Sequence, residues 1–288
     1  MKELAHKNRS AWEVYASAKE RKAMRSLAES YVDFISRCKT ERETVSHAEE
    51  RLRTAGFRPG MEECGGYRTL YGKALFAVRR GRKPLSEGMR LISAHTDSPR
   101  LDLKQRPLTE QVGVGQAKTH YYGGIHKYQW LARPLALHGV IVRDNGKSVP
   151  VVLGEKPGEA VFTIADLLPH LAKGLSGKTV GDAFEAEKLN LILGHEPLAP
   201  AKVKKGEKEP EKESEPVKAH MLELLHKAYG IREDDLLSAE LQAVPSGPAS
   251  FVGLDEALIG GYGQDDRICV FTALEAFLAV EKPEYATC

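Results

Sequence analysis

Long apolar runs are missing from this sequence. No stretch approaches the ~20 residues that a bilayer-spanning helix needs, so nothing in it reads as a membrane span. The N-terminal stretch MKELAHKNRSAWEVYASAKERK is charged throughout and has no apolar h-region, which argues against a secretory signal. Cysteine is scarce as well. The four present, Cys38, Cys64, Cys269 and Cys288, form no C-x-x-C pair and lie far apart. That excludes a disulfide scaffold and a cysteine-based zinc site as economical readings, and it points to a reducing compartment, the cytoplasm. Charge of one sign is not in excess. The balance of 42 Lys plus Arg against 40 Asp plus Glu leaves a net charge of +2, too small to point to nucleic acid or an anionic membrane as a partner.

What remains is an ordinary globular composition, 42% hydrophobic and 28% charged over 288 residues. Such a chain can bury a full core as one large domain or two modest ones. Trp12, Tyr15, Ala16, Leu27, Tyr31, Phe34, Ile35 and Cys38 recur mostly at three- and four-residue intervals, which predicts one long amphipathic helix. Thr40 followed by Glu43 has the form of a capping box, so a second helix is expected to start there. Val45, Ala48, Leu52 and Ala55 would be its buried face, and Gly56 its stop. The texture then becomes extended: ALFAV (Ala74 to Val78) and MRLISA (Met89 to Ala94) read as strands. Helices followed by strands make a mixed α/β fold the expectation for residues 1–100.

Residues 101–244 read as a β-rich inserted domain. LALHGVIV and VPVVLG flank a hairpin turn built on Asn145 and Gly146, and LNLIL (Leu189 to Leu193) is a further strand. Segment 201–218, AKVKKGEKEPEKESEPVK, has no aromatic residue and is expected to be a solvated, disordered loop. Residues 245–288 return to α/β texture. Ile268, Phe271, Leu274, Phe277 and Leu278 are helix-spaced, Asp265 and Asp266 are placed to cap that helix, Pro283 ends it, and EYATC reads as entry to a strand.

Two segments hold chemistry-bearing residues. In LISAHTDSPRLDL an apolar run ends on His95, with Asp97 two residues on. One reading is a structurally satisfied histidine hydrogen-bonded to its neighbour. The other is a metal ligand delivered at a strand end, its second N–H handed to a carboxylate. In GGYGQDDRIC the acidic pair is either a helix cap after a glycine turn or a source of hard oxygen ligands.

Taken together, SAHTDSPRLDLKQ, YYGGIHKYQWLARPLALHGVI, IADLLPHL and GYGQDDR resemble, in order and flanking residues, the aspartyl aminopeptidase and vacuolar aminopeptidase I family of dinuclear zinc peptidases. The resemblance covers essentially the whole chain. It implies a zinc-peptidase α/β/α sandwich interrupted by a β-rich dimerisation domain, and assembly into homo-oligomers acting on peptide substrates. It implies His95 as ligand to one of two zinc ions, Asp97 orienting it, Asp265 bridging the ions and followed by a cis peptide bond to Asp266, and Asp266 shaping the turn. His170 would reach a neighbouring subunit's active site and help bind substrate or stabilise the oxyanion there. His120, His126 and His138 match nothing comparable and are expected to be structural or exposed.

The family's general base and three further zinc ligands lie downstream of the GQDDR segment, and nothing matching them occurs before Cys288. The expectation is an N-terminal part of a longer peptidase, its sandwich incomplete at the C-terminus, inactive alone. Two alternatives accompany it: a non-catalytic assembly or regulatory subunit of the same descent, and an amidohydrolase or deacylase on a related scaffold. YYGGIHKYQW and LLPHL argue against the last.

Overall fold

The computed structural model of the chain describes residues 6–62, 65–199 and 213–288. Three helices come first, α1 (Ala11–Val14), α2 (Ala18–Arg37) and α3 (Glu41–Thr54). The single long helix expected from Trp12 to Cys38 is therefore divided. Ser17 interrupts it, its side chain accepting from Glu20 N while Glu20 bonds back to the cap. A serine that satisfies free helical N–H groups starts a new helix more readily than it continues an old one. Trp12 and Tyr15 are left exposed, while Tyr31, Phe34, Ile35 and Cys38 pack against Phe271 and Ala249. The Thr40–Glu43 capping box is present as expected, Val45, Ala48 and Leu52 are buried, and Gly56 leaves the helix with φ +87°.

Strands β1 (Gly60–Glu62), β2 (Gly65–Leu70), β3 (Ala74–Arg79) and β4 (Met89–Arg90) follow. Next come β5 (Arg100–Gln111), β6 (Val114–Tyr122), β7 (Leu135–Val142), β8 (Ser148–Leu153), the one-turn helix α4 (Val180–Ala183), β9 (Leu191–Gly194), α5 (Pro216–Tyr229) and β10 (Glu240–Pro245). The chain then forms β11 (Ser250–Val252), β12 (Leu258–Gly260), α6 (Gln264–Ala279) and β13 (Ala286–Thr287). These build a five-stranded sheet in the order β1-β2-β3-β13-β4, a six-stranded sheet in the order β8-β7-β10-β5-β6-β9, and the β11-β12 ribbon. The class is mixed α/β. No helix among the described residues is long and apolar enough to cross a membrane.

In the smaller sheet, Leu75 and Ala77 meet Ala48 and Leu52 of α3 and Leu274 and Phe277 of α6, while Phe76 on the alternate face is exposed. The six-stranded sheet has one cluster around Leu101, Trp130, Leu135 and Leu191. A second cluster joins Leu108, Ile141 and Leu241 to Leu222, Leu225 and Tyr229 of α5. The expected hairpin pairs Val142 with Ser148, and Gly146 at φ +77° makes its turn.

Two further expectations need correction. Residues 201–212 of the expected loop lie outside the described residues, but Pro216 to Lys218 form the first turn of α5. Proline is pre-set for that position, and Glu110 accepts from the N–H groups of Val217 and Lys218, which outweighs the charged composition. The strand expected from Met89 to Ala94 has only Met89–Arg90 as regular structure. It runs parallel to β13, its ladder ends with Cys288 N to Arg90 O and Ile92 N to Cys288 O, and past that point it pairs with no strand among the described residues.

A buried charged group joins the helices to the larger sheet. His138 on β7 donates from Nδ1 to Glu43 Oε1 at 2.7 Å and from Nε2 to Glu155 Oε1 at 2.9 Å. Both partners are carboxylates, so the ring is the doubly protonated imidazolium. Lys39, also buried, donates to Glu155 Oε1 at 2.6 Å and to the carbonyls of Pro245 and Gly247. Burial alone would push His138 down, but the bonds to Glu155 and Glu43 outweigh it and raise its pKa above the ordinary histidine value. A raised folded pKa stabilises the fold fully below the unfolded value of about 6.5 and loses that contribution as pH rises through the folded one. Urea midpoints are therefore expected to fall from pH 6 into the alkaline range. His138→Gln is expected to remove most of that slope and to cost about 3 kcal/mol at pH 6, since it strands two carboxylates.

Candidate metal centre

His95 lies in the irregular segment between β4 and β5, and Asp265 and Asp266 open α6. The fold brings these three together: each offers a ligand atom, and the atoms all lie within 4.8 Å of one another. His95 and Asp265 are exposed and Asp266 is buried. His95 Nδ1 is 3.1 Å from the Asp97 carbonyl oxygen, 3.5 Å from Asp97 Oδ1 and 3.8 Å from Asp266 Oδ1. A carbonyl only accepts, so Nδ1 carries the proton and Nε2 of the neutral ring keeps its lone pair. Asp97 Oδ2 accepts from Tyr122 Oη at 2.6 Å. That bond, opposed by partial burial, holds the Asp97 carboxyl below its ordinary range.

The start of α6 depends on a glycine. Gly263 is the N-cap with φ +76°, and a Cβ there would fall 1.8 Å from Arg267 Nη1 and 2.9 Å from Ser98 Oγ. Because Gly263 takes the cap position, neither aspartate caps the helix, contrary to expectation, and both stand in its first turn. The expected cis Asp265–Asp266 bond is also corrected: no peptide bond among the described residues is cis. Arg267 N bonds to Gly263 O at 3.1 Å, a helical ring that passes through the 265–266 peptide and closes on trans units. A cis unit there would cost ~2.5–4 kcal/mol in addition to that bond.

Arg267 is wholly buried beneath the site. Its Nη1 donates to Ser98 Oγ at 2.6 Å and its Nη2 to the Lys39 carbonyl at 2.7 Å. Tyr262 donates to the Pro99 carbonyl at 2.8 Å. Together these tie the His95–Pro99 segment to the first turn of α6. Burial pushes the Arg267 guanidinium below its ordinary value.

The donor set is one imidazole nitrogen and two carboxylates, with an exposed side left for further ligands. That combination suits zinc, whose catalytic sites commonly take three protein ligands and keep one position open. The family resemblance implies Asp265 as a ligand and Asp266 as a neighbour that shapes the turn, whereas the structure brings both to His95. The only signal for Asp266 was adjacency, since which of two consecutive helical side chains faces a loop depends on how the helix is rotated. His170 stands elsewhere, exposed in a turn that begins at Leu168, and is not part of the cluster. A largely apolar cavity of about 590 Å³ adjoins the site, with Leu91, Ile92, His95, Leu274 and Phe277 among its lining.

Arg267→Met is expected to destabilise the chain by about 3–5 kcal/mol in urea unfolding, because it strands Ser98 and the Lys39 carbonyl and removes a buried cation. Arg267→Lys is expected to recover less than half of that, since a single ammonium cannot reproduce a planar fork reaching two acceptors.

Comparison with known proteins bears on this geometry. Residues 34–287 match the family described as aminopeptidase I zinc metalloprotease, M18. A protein of Clostridium acetobutylicum named "Probable M18 family aminopeptidase 1" is 40% identical over 97% of this chain and 60% of its own length. The crystal structure of an M18-family aminopeptidase from Thermotoga maritima superposes with a TM-score of 0.86 at 40% identity, covering 98% of this chain and 60% of that one. The yeast aminopeptidase 1 structure reaches 0.67 at 20% identity over 91% of this chain and 60% of that one, a likeness of fold. The chain thus spans about 60% of the length of the first of these relatives.

Proposed function

This chain belongs to the aminopeptidase I zinc metalloprotease family, M18, and on that premise we propose that it carries part of a zinc site that releases N-terminal residues from peptides. The observation carrying the proposal is that His95 converges on the adjacent pair Asp265 and Asp266, far from it in sequence. When bound, zinc supplies a Lewis acid for the scissile carbonyl and a water that ionises near neutral pH. The chain's own residues prepare that point. His95 presents the Nε2 lone pair, Asp97 holds the ring in the tautomer that leaves it free, and Arg267 fixes the loop against the helix. Asp265, the exposed carboxylate, would be a ligand shared between two ions, and Asp266 would be an additional oxygen donor.

Three donors suit one ion better than two. We therefore propose that full turnover requires ligands and a base beyond this cluster, and that the 288-residue chain is inactive by itself. Residues 101–244 are assigned as the inserted oligomerisation domain. Support comes from the exposed Leu167, Leu168 and Leu171 around His170, an apolar turn that a second copy would cover. His170 would then act in the neighbour's site. The cytoplasmic address belongs to the same reading, with Cys38, Cys269 and Cys288 all free thiols.

Zinc titration of the purified chain is expected to saturate near one ion per chain and to lose that binding in His95→Ala, with no release of N-terminal residues by either. Clear zinc-dependent turnover would overturn the inactive-chain proposal. Absence of His95-dependent binding would overturn the metal site and favour an assembly subunit. In the assembled, active enzyme His170→Ala is expected to lower kcat by about 10²–10³, as loss of an oxyanion donor does. Its zinc content should stay unchanged by metal analysis.

A further inference from the structure

We propose that Tyr122 is a positioning residue of the metal centre, its hydroxyl fixing Asp97 and, through Asp97, the imidazole of His95. The inference rests on the zinc-site reading above and adds a residue from the larger sheet to it.

The geometry is a relay. Tyr122 Oη donates to Asp97 Oδ2 at 2.6 Å, while His95 Nδ1 donates to the backbone carbonyl of the same Asp97 at 3.1 Å and stands 3.5 Å from its other carboxylate oxygen. A carboxylate held at one oxygen loses rotation about its last bond, so Asp97 is fixed as a residue: its carbonyl keeps the bond to Nδ1 and Oδ1 stays turned toward the ring. An imidazole held at Nδ1 in turn points Nε2 in one direction, which is how partners behind a ligand raise its metal affinity.

The tyrosine is itself held. It ends β6, opposite Arg100 in the β5–β6 register. The buried Arg100 guanidinium lies 4.1 Å from the centroid of its ring, while its Nε donates to Asp102 Oδ1 at 2.8 Å and its Nη2 faces Glu41 Oε1 at 3.4 Å. A cation anchored by two carboxylates is a rigid platform under an aromatic face. The neighbouring Tyr121 makes a different contact, stacking on His120 at 5.4 Å between centroids. Successive strand residues face opposite sides of the sheet, so only one of the two tyrosines reaches Asp97. Were Tyr122 merely a half-exposed surface tyrosine, water would satisfy its hydroxyl and its removal would leave His95 unaffected.

The test is zinc affinity of the 288-residue chain, measured by competition with a chromophoric chelator, for the unmodified protein and the variants Tyr122→Phe, Tyr121→Phe, Asp97→Asn and Tyr122→Phe/Asp97→Asn. Phenylalanine keeps the ring under Arg100, so thermal melts are expected to be nearly unchanged. Tyr122→Phe is expected to weaken zinc about tenfold, the low end of the roughly 10–100-fold typical of such partners, and Tyr121→Phe not at all. In the Asp97→Asn background the Tyr122 substitution should add nothing further, the non-additivity of groups acting in series. His95-dependent binding that Tyr122→Phe leaves unchanged would overturn the assignment of Tyr122 alone. So would additive effects in the double variant, which mark a purely structural role. Zinc binding that does not depend on His95 in the unmodified chain would overturn the metal reading, and this relay with it.

Discussion

The buried guanidinium of Arg267 is the contact on which the donor arrangement depends. It belongs to the first turn of α6, yet its two bonds go to Ser98, three residues from His95, and to the Lys39 carbonyl at the junction of α2 and α3. The segment carrying His95 has little regular hydrogen bonding of its own once the pairing with β13 ends. A loop in that condition keeps a defined path only if side chains stitch it down. Arg267 and Tyr262 do so from the helix side, and Gly263 makes room for the guanidinium because no Cβ fits beside it.

The same economy recurs where the larger sheet meets the helices. His138, Glu43, Glu155 and Lys39 form a compact network of alternating charge. Buried ion pairs of this kind add little net stability but are costly to break. Their effect is to select one seating of α3 on β7. Arg100, with Glu41 on α3 and Asp102 on β5, does the same nearer the donors.

The mixture of burial at the centre has chemical meaning. Asp266 is buried against the loop, whereas Asp265 and His95 are exposed. A site built only of buried donors would resist metal exchange and exclude a substrate. One built only of exposed donors would have no fixed geometry. Here one carboxylate is buried while the imidazole and the other carboxylate stay open to solvent.

Much of this was legible in the residues themselves. Local rules act over a few neighbours, so the Thr40–Glu43 cap, the Asn145–Gly146 turn, the α6 periodicity and its end before Pro283 could all be read directly. His95 and Asp265 were legible because their flanking residues resemble a known pattern, and both stand in the cluster. Other features were decided only by the folded chain. Ser17 divided a helix that periodicity alone would have continued. A glutamate from β5 capped α5 within what composition marks as loop. The helical hydrogen bond across residues 265–266 set a trans peptide. Asp266, Arg267 and Tyr122 gained their places for one physical reason: each acts on a partner brought near by packing, and no local pattern records which distant atom a side chain will meet.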